Sequence, residues 1–343
     1  MPQEKLSSPS GRRKNIPLIP LKITGTASYL PEKILTNDDL AKFLDTSDEW
    51  IRTRTGIRTR HILSREEIPA TMGIRAAEQA LARAQRAPQD VDVLLVATNV
   101  PEEPIPGTAP HIALGLGMEK GAFADITAGC AGFLYALAMA GAMLHSGMAK
   151  IALVVGTEAL SRFVNWQDRA TCVLFGDGAG AIVLEHQDGP GGILGVALRG
   201  DPTKLGLLRI EAGGVRLPAS PDTVQAGKHF LQMEGKGLFR AAVGMMAEAT
   251  RAAASQAGLS LADIDWLIPH QANLRIIEAL IKRLRIPEEK VVINIDRVAN
   301  TSTASIPIAL DELVQAGKVE PGQILALTAF GAGACYGTVI LRW

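Results

Sequence analysis

Apolar positions along the chain follow two periods. Short continuous apolar runs, such as Val93 to Ala97 and Ile151 to Gly156, have the length and branched content of buried strands. Between them lie alanine-rich segments with helical periodicity, among them Ala77 to Gln85 and the run Phe133, Leu134, Leu137, Ala138 that follows a lone cysteine, Cys130. Strands alternating with helices predict an α/β protein, its mixed sheets covered by helices.

This pattern is written twice. Asp90-Val-Asp-Val-Leu-Leu-Val-Ala resembles Asp263-Ile-Asp-Trp-Leu-Ile-Pro-His, an offset of 263 − 90 = 173 residues. The same offset sets Ala77–Gln85 on Thr250–Gly258, and Cys130-Ala-Gly-Phe-Leu-Tyr-Ala-Leu on Thr303-Ala-Ser-Ile-Pro-Ile-Ala-Leu. It also sets Lys150-Ile-Ala-Leu-Val-Val on Gln323-Ile-Leu-Ala-Leu-Thr. Two glycine-bearing segments, "VLFGDGAGAIVLE" and "LTAFGAGACYGTVILRW", close the halves at 331 − 176 = 155, so the first half carries about 18 extra residues, roughly "TEALSRFVNWQDRATCV". The expected organisation is a disordered leader over residues 1–19, one half over 20–187 and a second over 188–343, packed by pseudo-twofold symmetry. The second half is expected to begin with an irregular glycine-rich stretch from Asp188 to Asp222.

Charge and cysteine usage narrow the class. Lysine plus arginine (35) equals aspartate plus glutamate (35), so no overall field draws the chain to nucleic acid or to an anionic membrane. No apolar run reaches the length of a membrane span. Cys130, Cys172 and Cys335 show neither a C-x-x-C pair nor zinc-ligand spacing, which suggests free thiols in a reducing, cytoplasmic compartment and no metal. Residues 1–19 are polar, rich in serine and proline, and basic from Arg12 to Lys14, without the apolar core of a signal peptide.

Two glycine motifs invite a nucleotide-binding reading, Gly176-Asp-Gly-Ala-Gly180 and Gly331-Ala-Gly333. A pyrophosphate fingerprint needs a helix after its glycines, whereas Ala181-Ile-Val-Leu-Glu continues as strand. Cys130 does precede a helix, where the dipole would make a thiol easier to ionise. A small buried hydrophobe explains the segment equally well. The second half supplies partners: His270 just beyond a buried strand, and Asn300 just before the helix that the repeat equates with the Cys130 helix. Symmetry brings these helix starts together at one site, whereas His61, His111, His145, His186 and His229 have no such placement. Cysteine, histidine and asparagine suit either a papain-like hydrolase or a carbon–carbon bond-forming acyl transferase. A duplicated α/β architecture favours the second.

From about Leu21 to Trp343 the sequence resembles the β-ketoacyl-[acyl-carrier-protein] synthase III family of the thiolase-like fold. The resemblance rests on "DTSDEWIRTRTGIRTRHI" (45–62), "TAGCAGFLYAL", "DRATCVLFGDGAGA" (168–181), "PHQANLRII" (269–277) and "NTSTASIPIALDE" (300–312), in that order. It implies a layered αβαβα arrangement of two α/β halves. It also implies that Cys130 takes an acyl group from acyl-coenzyme A, and that malonyl-acyl carrier protein then decarboxylates beside His270 and Asn300. The new carbanion would attack the acyl thioester, its oxyanion held by the backbone N–H groups of Cys130 and Ala332.

By the same resemblance Trp50 and Arg169 sandwich the adenine of coenzyme A, Arg54 meets its phosphates, and Met233, Gly235, Phe239, Ala272, Asn273 and Ile276 line the pantetheine path. Arg240, Arg275, Lys282 and Arg283 match docking positions for acidic acyl carrier protein. Acyl-coenzyme A is a substrate, so no cofactor is expected, and the chain is expected to form a homodimer. Gly331-Ala332-Gly333 followed by Ala334-Cys335-Tyr336 departs from the three glycines and an aromatic of many members. Ile105 occupies the position that reaches into the partner subunit's acyl pocket. Relatives that use unusual starters, or that pass acyl groups to oxygen or nitrogen, remain an alternative.

Overall fold

A computed structural model describes residues 17–343. Residues 1–16 of the expected leader lie outside the described residues, and Ile19 with Pro20 already forms a strand, paired with Ile193 and Gly192. Two five-stranded mixed sheets form the frame. The first runs in space Lys22–Tyr29, Gly178–Glu185, Ile151–Glu158, Val93–Ala97, Ala122–Ile126. The second runs Ile19–Pro20, Gly192–Gly200, Cys335–Arg342, Ile324–Gly331, Trp266–Pro269.

The repeat holds in register. Strands Val93–Ala97 and Trp266–Pro269 begin 266 − 93 = 173 residues apart, strands Ile151–Glu158 and Ile324–Gly331 begin 324 − 151 = 173 apart, and helices Gly132–His145 and Ser305–Gln315 begin 305 − 132 = 173 apart. The expected irregular stretch from Asp188 to Asp222 is corrected by the structure: Gly192–Gly200 is a nine-residue strand along Cys335–Arg342. Its Ile193, Leu194 and Ala197 are buried apolar positions that its glycines obscure in the sequence.

The period-2 pattern explains the layers. Val93, Leu95, Val154, Ile182, Leu325 and Leu327 face inward, onto a core shared with helices Gly132–His145 and Ser305–Gln315 between the sheets. Leu94, Val96, Leu153, Val155 and Val183 face outward onto helix Pro69–Ala84. In the second sheet Ala326 and Ile340 likewise meet helices Gly235–Gln256 and Leu274–Leu284. This gives helix, sheet, helix pair, sheet, helix, with the starts of both central helices beside the interface of the halves. The extra residues of the first half form the connection 159–177, against 332–334 in the second.

Candidate active site

Two backbone segments cross at Cys130. A Cβ on Gly129 (φ +56) would lie 2.3 Å from the Ala332 nitrogen, and one on Gly331 would lie 2.1 Å from the Cys130 nitrogen. Only glycine at both positions permits that approach. The crossing sets the Cys130 and Ala332 amides side by side, and Ala332 is not among the described non-glycine residues with positive φ, so the departure from glycine there is accommodated.

Cys130, His270 and Asn300 line one cavity of about 300 Å³. His270 follows strand Trp266–Pro269 directly, its N–H donating to the Thr328 carbonyl at 2.8 Å. Gln271 pins the following loop by donating to the carbonyls of Pro269 (2.8 Å) and Val292 (3.1 Å). Asn300 is clasped by the long connection: its N–H donates to the Leu174 carbonyl, and its carbonyl accepts from Gly176. The Asn300 Oδ1 accepts the Ser302 N–H at 2.9 Å, leaving the amide nitrogen free to donate.

Electrostatics correct one expectation. Helix Gly132–His145 begins two residues after Cys130, and burial pushes the thiol up to about 12 rather than down. The Ser302 hydroxyl at 3.3 Å works in the opposite sense, while Glu158 adds to the rise. Burial lowers His270 to about 3, so its ring is neutral, with Nδ1 2.6 Å from Ser305 Oγ. Glu158 is fully buried and burial raises it to about 7, against hydrogen bonds from Asn99, Thr303 and Ser302.

The positions expected to meet coenzyme A, Trp50, Arg54, Arg169, Met233, Gly235, Phe239, Ala272, Asn273 and Ile276, all line this cavity. Trp50 and Arg54 are one turn apart on helix Asp48–Thr55, which Ser47 caps by accepting the Trp50 N–H, and the Arg54 guanidinium lies 4.5 Å from the indole centroid. Arg169 stacks on the same ring at 5.0 Å while donating to the Asp45 backbone carbonyl. The two expected walls of the adenine site therefore touch. Asn273 caps helix Leu274–Leu284 by accepting the Arg275 N–H at 2.9 Å. Arg240, Arg275, Lys282 and Arg283 are all exposed.

A second cavity, of about 170 Å³, lies beyond Cys130, lined by Val100, Leu160, Phe175, Leu208, Ile210 and Leu231. Three polar residues at the site were not expected from the sequence: Glu158, Ser302 and Ser305. The two serines follow Asn300 within "NTSTAS", and Glu158 ends a strand that is apolar up to Thr157, which is the one signal each offers.

Two duplicated halves with a cysteine, a histidine and an asparagine at their shared cleft define a thiolase-like condensing enzyme. Family models described as 3-oxoacyl-[acyl-carrier-protein (ACP)] synthase III and its C-terminal part match residues 124–202 and 254–343. The β-ketoacyl-[acyl-carrier-protein] synthase III of Symbiobacterium thermophilum is 47% identical over 324 residues, covering 94% of this chain and 98% of that one. The crystal structure of 3-oxoacyl-[acyl-carrier-protein] synthase III from Aquifex aeolicus superposes with a TM-score of 0.87 at 43% identity, covering 94% of this chain and 100% of that one. A priming β-ketosynthase from the R1128 polyketide pathway superposes at 0.86 with 37% identity, covering 97% of this chain and 99% of that one. The chain belongs to the β-ketoacyl-[acyl-carrier-protein] synthase III family.

Proposed function

We propose that this enzyme condenses an acyl-coenzyme A starter with malonyl-acyl carrier protein, releasing carbon dioxide and giving the β-ketoacyl-acyl carrier protein that begins fatty-acid synthesis. One observation carries the assignment of roles: Cys130, His270 and Asn300 line the same cavity as all the positions expected to hold coenzyme A. The Cys130 sulfur attacks the thioester carbonyl, the carbon–sulfur bond to coenzyme A breaks, and the acyl group remains on the enzyme. Malonyl thioester then loses carbon dioxide, and the electron pair moves onto its carbonyl oxygen. Neutral His270, accepting from Ser305 at Nδ1, donates from Nε2 to that oxygen, and the Asn300 amide donates beside it. The carbanion forms the new carbon–carbon bond, and the tetrahedral oxygen rests on the Cys130 and Ala332 amides until Cys130 leaves.

The acyl chain enters the apolar cavity of about 170 Å³ behind Cys130. Exposed Ile105 is the residue a second copy presents to that cavity. A homodimer is supported by strand Ala122–Ile126, an unpaired sheet edge whose Ala122, Phe123 and Ala124 are exposed. Arg240, Arg275, Lys282 and Arg283 supply the local basic surface for acidic carrier protein that a net charge of +0 does not. The reaction calls for no resident cofactor. Three free thiols suit a reducing cytoplasm, and among the described residues no helix is long and apolar enough to cross a membrane.

The test is product formation: purified protein with a short acyl-coenzyme A and malonyl-acyl carrier protein yields carbon dioxide and the β-ketoacyl product in equal amounts. Malonyl thioester left unconsumed with every starter contradicts the proposal. Turnover confined to an unusual starter moves the enzyme toward the substrate class suggested by its likeness to the polyketide priming ketosynthase.

A further inference from the structure

The reaction leaves one question of proton bookkeeping open at Cys130. Its thiol is buried, its dipole help is two residues away, and the neutral His270 ring is engaged by Ser305. Acylation nevertheless requires the S–H proton to leave and, at the end of the cycle, to return.

Ser302 stands between Cys130 and a carboxylate. Its Oγ lies 3.3 Å from Cys130 Sγ and 3.1 Å from Glu158 Oε1. It holds that place with φ +50, a left-handed conformation that a serine adopts at a cost of about 1 kcal/mol. Glu158 Oε1 also accepts from the Asn99 side chain (2.6 Å), the Asn99 N–H (3.1 Å) and Thr303 (3.1 Å), while Oε2 is buried with no hydrogen-bond partner among the described residues. A carboxylate crowded on one oxygen and bare on the other is built to change protonation state.

We propose that Glu158, acting through the Ser302 hydroxyl, takes the Cys130 proton for acylation and returns it when the product leaves. A hydroxyl has one proton, which fixes the order of events. With Glu158 ionised, Ser302 donates to Oε1 and accepts from the Cys130 S–H. When the sulfur attacks, its proton passes to Ser302 Oγ, and the Ser302 proton passes to Glu158. The thiolate then accepts from Ser302, and the negative charge has moved between two buried groups without a new one being created. Sulfur forms its bond to the acyl carbon, coenzyme A departs as thiolate and takes a proton from water, and Glu158 stays protonated while the acyl group is in place. When the carbanion displaces Cys130, the thiolate regains its proton along the same path.

The surroundings leave Glu158 free to do this. Its contacts Asn99, Ser302 and Thr303 do not titrate, and its own strand, Ile151–Glu158, carries no other ionisable group. The ionisable group facing it is Cys130; Asp177, beside the paired Gly178, is held by Ser161 and the Leu63 N–H. The raised position of Glu158, about 7, places its change of charge in the working range.

The inference rests on Cys130 being the acylated nucleophile, and the test separates the two. Single-turnover acylation by a short acyl-coenzyme A is followed by intact mass across the neutral and alkaline range, in wild type, Glu158→Gln, Glu158→Asp and Ser302→Ala. Wild type is expected to accelerate as pH rises and then level off as Glu158 completes its ionisation. Glu158→Gln is expected to acylate about 10²-fold more slowly and to keep accelerating without a plateau, because its thiol ionises unaided. Glu158→Asp recovers a plateau, whereas a role confined to packing would leave the wild-type profile in all variants. Ser302→Ala keeps Glu158 with Asn99 and Thr303 and tests the same step should Glu158→Gln fail to fold. If wild type loads and both Glu158→Gln and Ser302→Ala match its rate and profile, the relay is wrong and the nucleophile stands. If wild type takes no acyl group, the nucleophile is wrong and the relay falls with it.

Discussion

The Nδ1 of His270 and the hydroxyl of Ser305 lie 2.6 Å apart, both buried, with Ser305 opening the central helix Ser305–Gln315. The contact ties the second-half histidine to the helix that mirrors the Cys130 helix. The mechanism needs the proton on Nε2, and the contact allows it, since a hydroxyl that donates to Nδ1 leaves that proton in place. Ser305→Ala is therefore expected to slow malonyl decarboxylation on the order of tenfold, the worth of one lost hydrogen bond. Acylation of Cys130 should remain near wild type, and separate assays of the two half-reactions check the split.

The ring form has a pH consequence. His270 is held at about 3 by burial, so it does not titrate in the neutral range. Decarboxylation by a pre-acylated enzyme should show no inflection near the ordinary histidine value of about 6.5. Such an inflection, abolished by His270→Ala, would contradict the assignment.

Glu158 predicts a stability signature. Its folded value, about 7, exceeds the unfolded value of 4.5, so between them the folded chain binds more protons and stability falls as pH rises. Glu158→Gln removes that dependence. The melting temperature of the variant relative to wild type should thus increase from mildly acidic to mildly alkaline buffer.

The backbone crossing at the nucleophile predicts intolerance of a single methyl group. A Cβ at Gly331 would sit 2.1 Å from the Cys130 nitrogen, so Gly331→Ala must part the two segments and separate the paired amides. We expect kcat to fall about 10² to 10³-fold, the cost of one misplaced oxyanion donor. The fold should survive, as circular dichroism would show.

These relationships differ in how far the sequence carries them. The offset of 173 residues foretells the starts of paired strands and central helices, because buried segments keep their spacing when a half is duplicated. That symmetry points to Cys130 and Asn300, and the end of a buried strand points to His270; the three line one cavity. The strand Gly192–Gly200 is hidden by its glycines, since its identity comes from pairing along Cys335–Arg342 rather than from local propensity. The thiol's direction of shift is likewise not legible: a helix start can be read from spacing, but burial, which raises the thiol here, is a tertiary property. Ser302 and Glu158 are 302 − 158 = 144 residues apart and become partners only through the crossing of the halves.

The Trp50–Arg169 stack gives a binding prediction. Both residues line the cleft and touch across it at 5.0 Å, so a base that stacks on the indole would take the place Arg169 now holds. Trp50→Ala is expected to raise KM for acyl-coenzyme A about tenfold, a stacking contribution of 1 to 1.5 kcal/mol, with little change in kcat. Steady-state kinetics with a short starter would check it.

Every step above requires Cys130 to carry the acyl group and surrender it to a malonyl carbanion. Intact-mass spectrometry tests it most directly: the enzyme is incubated with a panel of acyl-coenzyme A thioesters, then given malonyl-acyl carrier protein. A mass gain of one acyl group is expected, mapped to Cys130 and absent in Cys130→Ser, that disappears on malonyl addition as β-ketoacyl product accumulates. A chain that gains no acyl mass from any thioester, or that loads elsewhere than Cys130, would contradict it.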